Sequence, residues 1–410
     1  MIAKRRYRAL NGKGRDMATI DTAGETAGKD TDDRFLVNPY NDWAQAQNIP
    51  IHEDFGVDML ACETAPWGFT EAKGALVHLH GRGDYVSVFL HEIPPGGKTR
   101  PMGHCFEEIF YVLEGHGATS VTASDGAKHS FEWGPKSLFS VPLNSPYQIF
   151  NTSGQEPAKL SSTTNLPMVL KLFHNDEFVF DNPFRFADRE GPDLFYQGDG
   201  ELTPRQPGRH TWETNFIADL ERFELKEWEA RGKGCSNMMM IMADGTMHAH
   251  ASEMPVGTYK KGHRHGPDFH VFSVRGEGFS IFWYEGDAED DFVRFDWKHG
   301  WVFAPPDQMF HLHFNKGREP CRYAATAFGS LRYPFSDIKE AGYRGNDISY
   351  KEAGGFQMEY RDLPFRCHLE FLIECEKIGV KSQMGEYIDE APYYEAIEKL
   401  KRDGGLKKSA

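Results

Sequence analysis

The C-terminal half of the chain carries three H-x-H pairs: His248-Ala-His250, His263-Arg-His265 and His311-Leu-His313. In a β-strand, residues i and i+2 face the same side, so each pair offers two imidazoles together. His263 and His265 would project inward as a unit while Arg264 points away. Neutral imidazole suits iron, zinc, copper or nickel, and a third imidazole from a distant strand would complete a facial set with open positions. The alternative is ordinary: buried or surface histidines satisfied by hydrogen bonds.

The elements that must position these residues read as strands. From 76 to about 175, short apolar or alternating runs such as DYVSVFLHEIPPGG and EEIFYVLEGHG are cut by Gly and Pro turns. Strand text resumes at 236 and continues to about 329. That pattern predicts small all-β barrels or sandwiches. The two stretches repeat each other. An offset of 161 lays His91-Glu-Ile-Pro-Pro-Gly96 over Ser252-Glu-Met-Pro-Val-Gly257, His104 over His265 and Gly115 over Gly276. Asn151 falls over Asn315 at an offset of 164. Between the repeats, 176–235 reads as a linker with one short helix near 216–230. The first 34 residues are polar and expected to be disordered. The tail, 336–410, carries helical periodicity in FRCHLEFLIECEKIGV and YYEAIEKLKRD.

Composition narrows the function classes. The net charge of −15 argues against a nucleic-acid surface, which needs clustered Lys and Arg. Six scattered cysteines form no C-x-x-C pair and suggest a reducing compartment rather than a disulfide framework. No apolar run approaches the roughly 20 residues of a membrane helix. The basic opening MIAKRRYRALNGKGRD lacks the apolar stretch of a secretory signal, and Met17 is an alternative start to Met1. A cytoplasmic protein is expected, with no membrane or nucleic-acid partner.

The repeat unit resembles the cupin barrel. The second repeat supplies Gly257-TYKKG-His263-Arg-His265-GPDFHVFSVR-Gly276 and then Gly300-WVFAPPDQMF-His311-LHF-Asn315. The resemblance implies an all-β chain of two cupin (double-stranded β-helix, jelly-roll) barrels with helical extensions. It places an N-terminal barrel at 35–175 and a C-terminal barrel at 236–335. His263, His265 and His311 fall on metal-ligand positions. The family's Glu is replaced by Phe269, while Glu108 keeps it in the first repeat. His270, one residue on, would be a fourth ligand or catalytic group if the strand shifted by one, and a wall residue otherwise. In the first repeat, Met102 and Tyr147 stand where histidines would, so that barrel is expected to hold no ion.

The segment HRHGPDFHVFSVRGEG is also similar to the H-R-H-x6-F-x-V-x-G-x-G stretch of gentisate 1,2-dioxygenases and their salicylate and hydroxynaphthoate relatives, which use three histidines without the Glu. That resemblance implies an Fe(II) dioxygenase cleaving a hydroxylated aromatic acid or similar oxygen-rich molecule, with dioxygen as co-substrate. His313 would then hydrogen-bond substrate or act as acid/base, or else be a core histidine. His248 and His250 line the cavity if their strand face turns inward. Arg322 could grip a substrate carboxylate, against the more ordinary surface salt bridge. A bicupin enzyme without oxygen chemistry (lyase, isomerase, decarboxylase or hydrolase on Mn, Zn or Ni) and a non-enzymatic ligand-binding cupin are the competing readings. Analogy to other bicupins, and helical tails that need a surface to pack on, suggest a homodimer or higher oligomer.

Overall fold

The computed structural model describes residues 36–206, 209–266, 268–333 and 348–404. The N-terminal stretch expected to be disordered lies outside them. Two jelly-roll barrels follow one another. The first is built from β1 (Ala72–Leu79), β2 (Ser87–Ile93), β3 (Glu108–Glu114), β4 (Gly117–Thr122), β5 (Lys128–Trp133), β6 (Leu138–Ser140), β7 (Tyr147–Asn151) and β8 (Ala158–Thr164). The second is built from β9 (Ser236–Met242), β10 (Met247–Met254), β11 (Gly262–His263), β12 (Phe269–Arg275), β13 (Gly278–Trp283), β14 (Val293–Trp297), β15 (Trp301–Phe303), β16 (Phe310–Asn315) and β17 (Cys321–Phe328). Each barrel has a large sheet (β1-β2-β8-β3-β6 or β9-β10-β17-β12-β15) facing a small one (β7-β4-β5 or β14-β13-β16-β11).

The repeat is preserved down to single hydrogen bonds. The Asn151 amide donates to the carbonyls of Ile93, Pro94 and Glu156, and the Asn315 amide to those of Met254, Pro255 and Glu319. Gly115 and Gly276, at φ 90° and 73°, make the same left-handed turn after β3 and β12.

The large sheets pack back to back, so their strands are buried on both faces and read as near-continuous apolar runs. Leu79, Val88, Leu90, Ile109 and Tyr111 of the first barrel meet Met238, Met240, Met242, Ala249, Phe272 and Ala324 of the second in one core. The methionine run thus fills the layer between the barrels, where unbranched side chains adapt to an irregular gap. Reciprocal crossings tie the layer together. Gly56–Asp58, ahead of the first barrel, pairs with β15 of the second, and Phe216–Ile217, ahead of the second, pairs with β6 of the first.

That second crossing corrects the helix expected near 216–230. Phe216 is buried in the first barrel's core and Ile217 and Leu220 in the layer between the barrels, which needs extended chain, and only a 3-10 turn at Glu229–Arg231 is helical. Between the first barrel and this segment lie two short α-helices, α1 (Leu166–Phe173) and α2 (Asp176–Phe180). In the tail, α3 (Phe365–Ile378) and α4 (Ala391–Arg402) form as the periodicity predicts. Their apolar faces cover the outside of the second barrel's small sheet, packing Phe371, Leu372 and Ile397 against Tyr259, Phe279 and Phe314. The tail therefore finds its packing surface within the chain, and the argument for an oligomer from unpacked helices falls away. Among the described residues no helix is long and apolar enough to cross a membrane.

Candidate metal centre

The second barrel closes around its histidines. β11 pairs with β16 so that His263 lies directly opposite His311. On its other side, His263 pairs with Gln357 of the tail strand Gln357–Met358. His265 follows after the strand ends. One ligand atom from each of His263, His265 and His311 lies within 4.8 Å of the others. Ring centroids are 4.2 Å apart for His263 and His311, and 4.7 Å for His265 and His311. Arg264 turns outward to Glu285, as strand alternation requires.

The hydrogen bonds of these rings suit a cation. His265 Nδ1 lies 2.7 Å from the Gly266 carbonyl and His311 Nδ1 lies 3.0 Å from the Met309 carbonyl. A carbonyl can only accept, so both rings carry the proton on Nδ1 and leave the Nε2 lone pair free, the way a carbonyl behind the ring prepares a metal-binding imidazole. His263 Nδ1 is buried without a hydrogen-bond partner among the described residues. Burial holds His263 and His311 well below the usual histidine range and His265 at about 4, so all three are neutral and able to ligate near pH 7. The residues present fit a divalent ion.

Among the described residues no carboxylate joins them. Phe269 occupies the position of Glu108, its ring 4.0 Å from that of His265. His270 does not turn inward. It faces the other side of β12 with Phe272, towards the first barrel. It is fully buried, both ring nitrogens lack partners among the described residues, and burial beside Arg82 lowers its pKa to about 3. Alternation in β12 is unbroken here, so the one-residue slip that would make His270 a ligand is absent.

Arg322 is likewise outside the site. Its guanidinium binds Glu253 and the carbonyls of Leu220 and Phe223. Its neighbour Tyr323 takes the inward place, with its ring 4.7 Å from His313. Of the remaining candidates, His313 shares the inward face of β16 with His311, their ring centroids 5.4 Å apart. Its Nδ1 lies 2.8 Å from Ser280 Oγ, which itself accepts from Trp297 Nε1. β10 turns His248, His250, Ser252 and Met254 inward. His250 lies near Tyr323 and Phe269, whereas His248 is tied to the Gly329 carbonyl at the strand's far end.

Two basic residues went unread in the sequence. Lys260 is buried in the second barrel, its Nζ 3.0 Å from both Ser252 Oγ and Tyr323 Oη. Arg231, from the 3-10 turn, donates to Gln357 Oε1. Burial lowers the pKa of His250 and His313 as well, and Lys260 and Arg231 push the same way. Alternation counted back from His263 puts Lys260 outside, but the strand is interrupted between 259 and 262 and its facing resets there.

At the corresponding place in the first barrel the polar groups bind one another. Tyr147 Oη bridges His104 Nε2 and Glu108 Oε2, while Ser162 donates to Glu108 Oε1 and meets His91. Met102 is buried nearby in the apolar core.

Residues 67–185, essentially this first barrel, match the auxin binding protein family. Auxin-binding protein T92 of Nicotiana tabacum is 33% identical over 103 residues, 24% of this chain and 54% of that protein. Auxin-binding protein 4 of Zea mays is 31% identical over 109 residues, 26% of this chain and 52% of that protein. The chain thus spans about half the length of the curated relatives it matches. Among solved structures, an oxalate decarboxylase of Lactobacillus farciminis in a formate complex aligns at TM-score 0.45 and 13% identity, covering 70% of this chain and 90% of that one. A Bacillus subtilis oxalate decarboxylase aligns at TM-score 0.43 and 15% identity, covering 67% and 77%. With its duplicated jelly rolls and its two sequence motifs, the chain has a two-barrel cupin fold, whose first barrel matches the auxin binding protein family over residues 67–185.

Proposed function

We propose that this chain is a metal-dependent enzyme with one reaction centre, in the second barrel, acting on a small oxygen-rich molecule. The convergence of His263, His265 and His311 within 4.8 Å carries the reading. When bound, a divalent ion (Mn, Zn or Ni) would polarise a substrate oxygen as a Lewis acid. The surrounding side chains supply proton traffic. Ser280 accepts from Trp297 and lies 2.8 Å from His313 Nδ1; where its hydroxyl donates there, His313 carries its proton on Nε2, inside the barrel. In that state His313 is a hydrogen-bond donor facing the cluster. Neutral His250 can accept or donate on the opposite wall. Such an array suits lyase, isomerase, decarboxylase or hydrolase chemistry, in which a proton moves as a bond breaks. Six free, buried cysteines support placing the protein in a reducing compartment such as the cytoplasm.

One observation favours a second reading, an Fe(II) dioxygenase. Among the described residues no carboxylate joins the cluster, Phe269 filling that place, and an ion there would keep its full charge and open faces for dioxygen beside substrate. Metal analysis of protein purified without added ions, followed by oxygen uptake with the iron-loaded chain and a panel of hydroxylated aromatic acids, separates the two. Uptake coupled to substrate loss selects the dioxygenase; turnover under anaerobic conditions selects the Lewis acid. A chain that retains no divalent ion refutes both.

A further inference from the structure

Lys260 is a cation in a place that should not hold one alone. Its side chain is 3% exposed, and among the described residues its ammonium forms no ion pair. Its hydrogen-bond partners are two hydroxyls, Ser252 Oγ and Tyr323 Oη, and the rings of Tyr323 and Trp228 lie 5.2 and 5.9 Å away. A buried ammonium without counter-charge is costly, and hydroxyls and ring faces offset only part of that cost. Two of its three N–H groups are engaged, which leaves one donor. Each hydroxyl accepts from Lys260 and so turns its own proton elsewhere. Ser252 accepts a second bond from Asn237. Tyr323 lies between this ammonium and the histidines, 4.7 Å from His313 by ring centroid. Arg231 adds positive charge on the same side, its guanidinium 5.4 Å from the Trp228 ring that Lys260 also faces. A metal ion on the three histidines would raise the positive potential further.

Resting on the reading of this barrel as a reaction centre, we propose that Lys260 and Tyr323 form an anion subsite beside the histidine cluster, which takes the carboxylate of a small-molecule substrate whose other end reaches the metal. The free ammonium N–H and the Tyr323 O–H would each donate to one carboxylate oxygen, forming charge-assisted bonds in a water-poor barrel. Carboxylic acids would then be selected over the matching amides and alcohols.

The test is calorimetric binding of acetate and benzoate, against acetamide and benzamide, to the full-length chain and to Lys260→Met and Tyr323→Phe, with metal content measured on every sample. Wild type should bind the carboxylates and discriminate against the amides by about tenfold or more. Lys260→Met should lose that discrimination, and Tyr323→Phe should weaken carboxylate binding several-fold while keeping the ammonium. If Lys260→Met does not fold, Tyr323→Phe and the wild-type selectivity decide alone. Carboxylate binding equal to amide binding, no carboxylate binding at all, or full binding by folded variants would each overturn the subsite. Metal analysis reports separately on the catalytic reading, since a chain that binds benzoate through Lys260 but holds no divalent ion keeps the subsite and loses the enzyme.

Discussion

At the scale of single residues, the second barrel separates histidines that converge from those that do not. His263→Ala or His311→Ala should drop metal content from about one ion per chain to near zero, because two imidazoles alone hold a divalent ion poorly. His313→Ala should keep the ion, as His313 stands beside the cluster. Plasma mass spectrometry on the three variants checks this, and two ions per wild-type chain would mean that the first barrel binds as well. His270 predicts a pH effect. Its folded pKa, about 3, lies below its ordinary value of 6.5, so between these limits the unfolded chain binds the extra proton. Stability should therefore fall as pH drops below about 6.5, by up to about 1.4 kcal/mol per pH unit from this group. The first repeat carries Ile109 at the matching position, so His270→Ile should flatten the acid limb of a denaturation series run from pH 7 to pH 4.5. An unchanged limb would show that His270 is not responsible.

At the scale of elements, two carboxylates related by the repeat clasp the barrels. Glu107 accepts from the backbone N–H groups of Thr246 and Met247 at the β9–β10 turn, and also meets Arg189. Asp268, its counterpart, accepts from the N–H groups of Gly83 and Val86 between β1 and β2. Each thus satisfies donors that a buried turn would otherwise leave open. Glu107→Ala should cost about 3–5 kcal/mol, since it strands both the N–H groups and a half-buried Arg189. Urea unfolding measures it, and a loss below about 1 kcal/mol would mean that water replaces the clasp.

At the scale of the whole molecule, the methionine layer makes the barrels one cooperative unit. Met240 is fully buried between them, and Met240→Ala should destabilise the chain by about 2–5 kcal/mol. Scanning calorimetry of wild type and variant should each show a single transition over both barrels. Two resolved transitions would show that the shared core does not couple them. The tail contributes by sealing the second barrel's outer face and by bringing Gln357 beside His263.

The sequence by itself determined the duplication, the all-β class and the inward pairing of His263 with His265, because strand alternation, turn glycines and asparagine-capped loops are local rules that repeat with fixed spacing. It also showed Met102 and Tyr147 standing where the second repeat carries His263 and His311, since these can be read one position at a time. Tertiary structure alone decided what depended on facing and register. Arg322 and Tyr323 were bound to point to opposite sides of one strand, but only the sheet fixed which side was the pocket. The same choice sent His270 to the barrel interface, and a break between strands turned Lys260 inward. The extended path of 216–230 was set by apolar residues reaching into two separate cores, a long-range demand that overrode its local pattern.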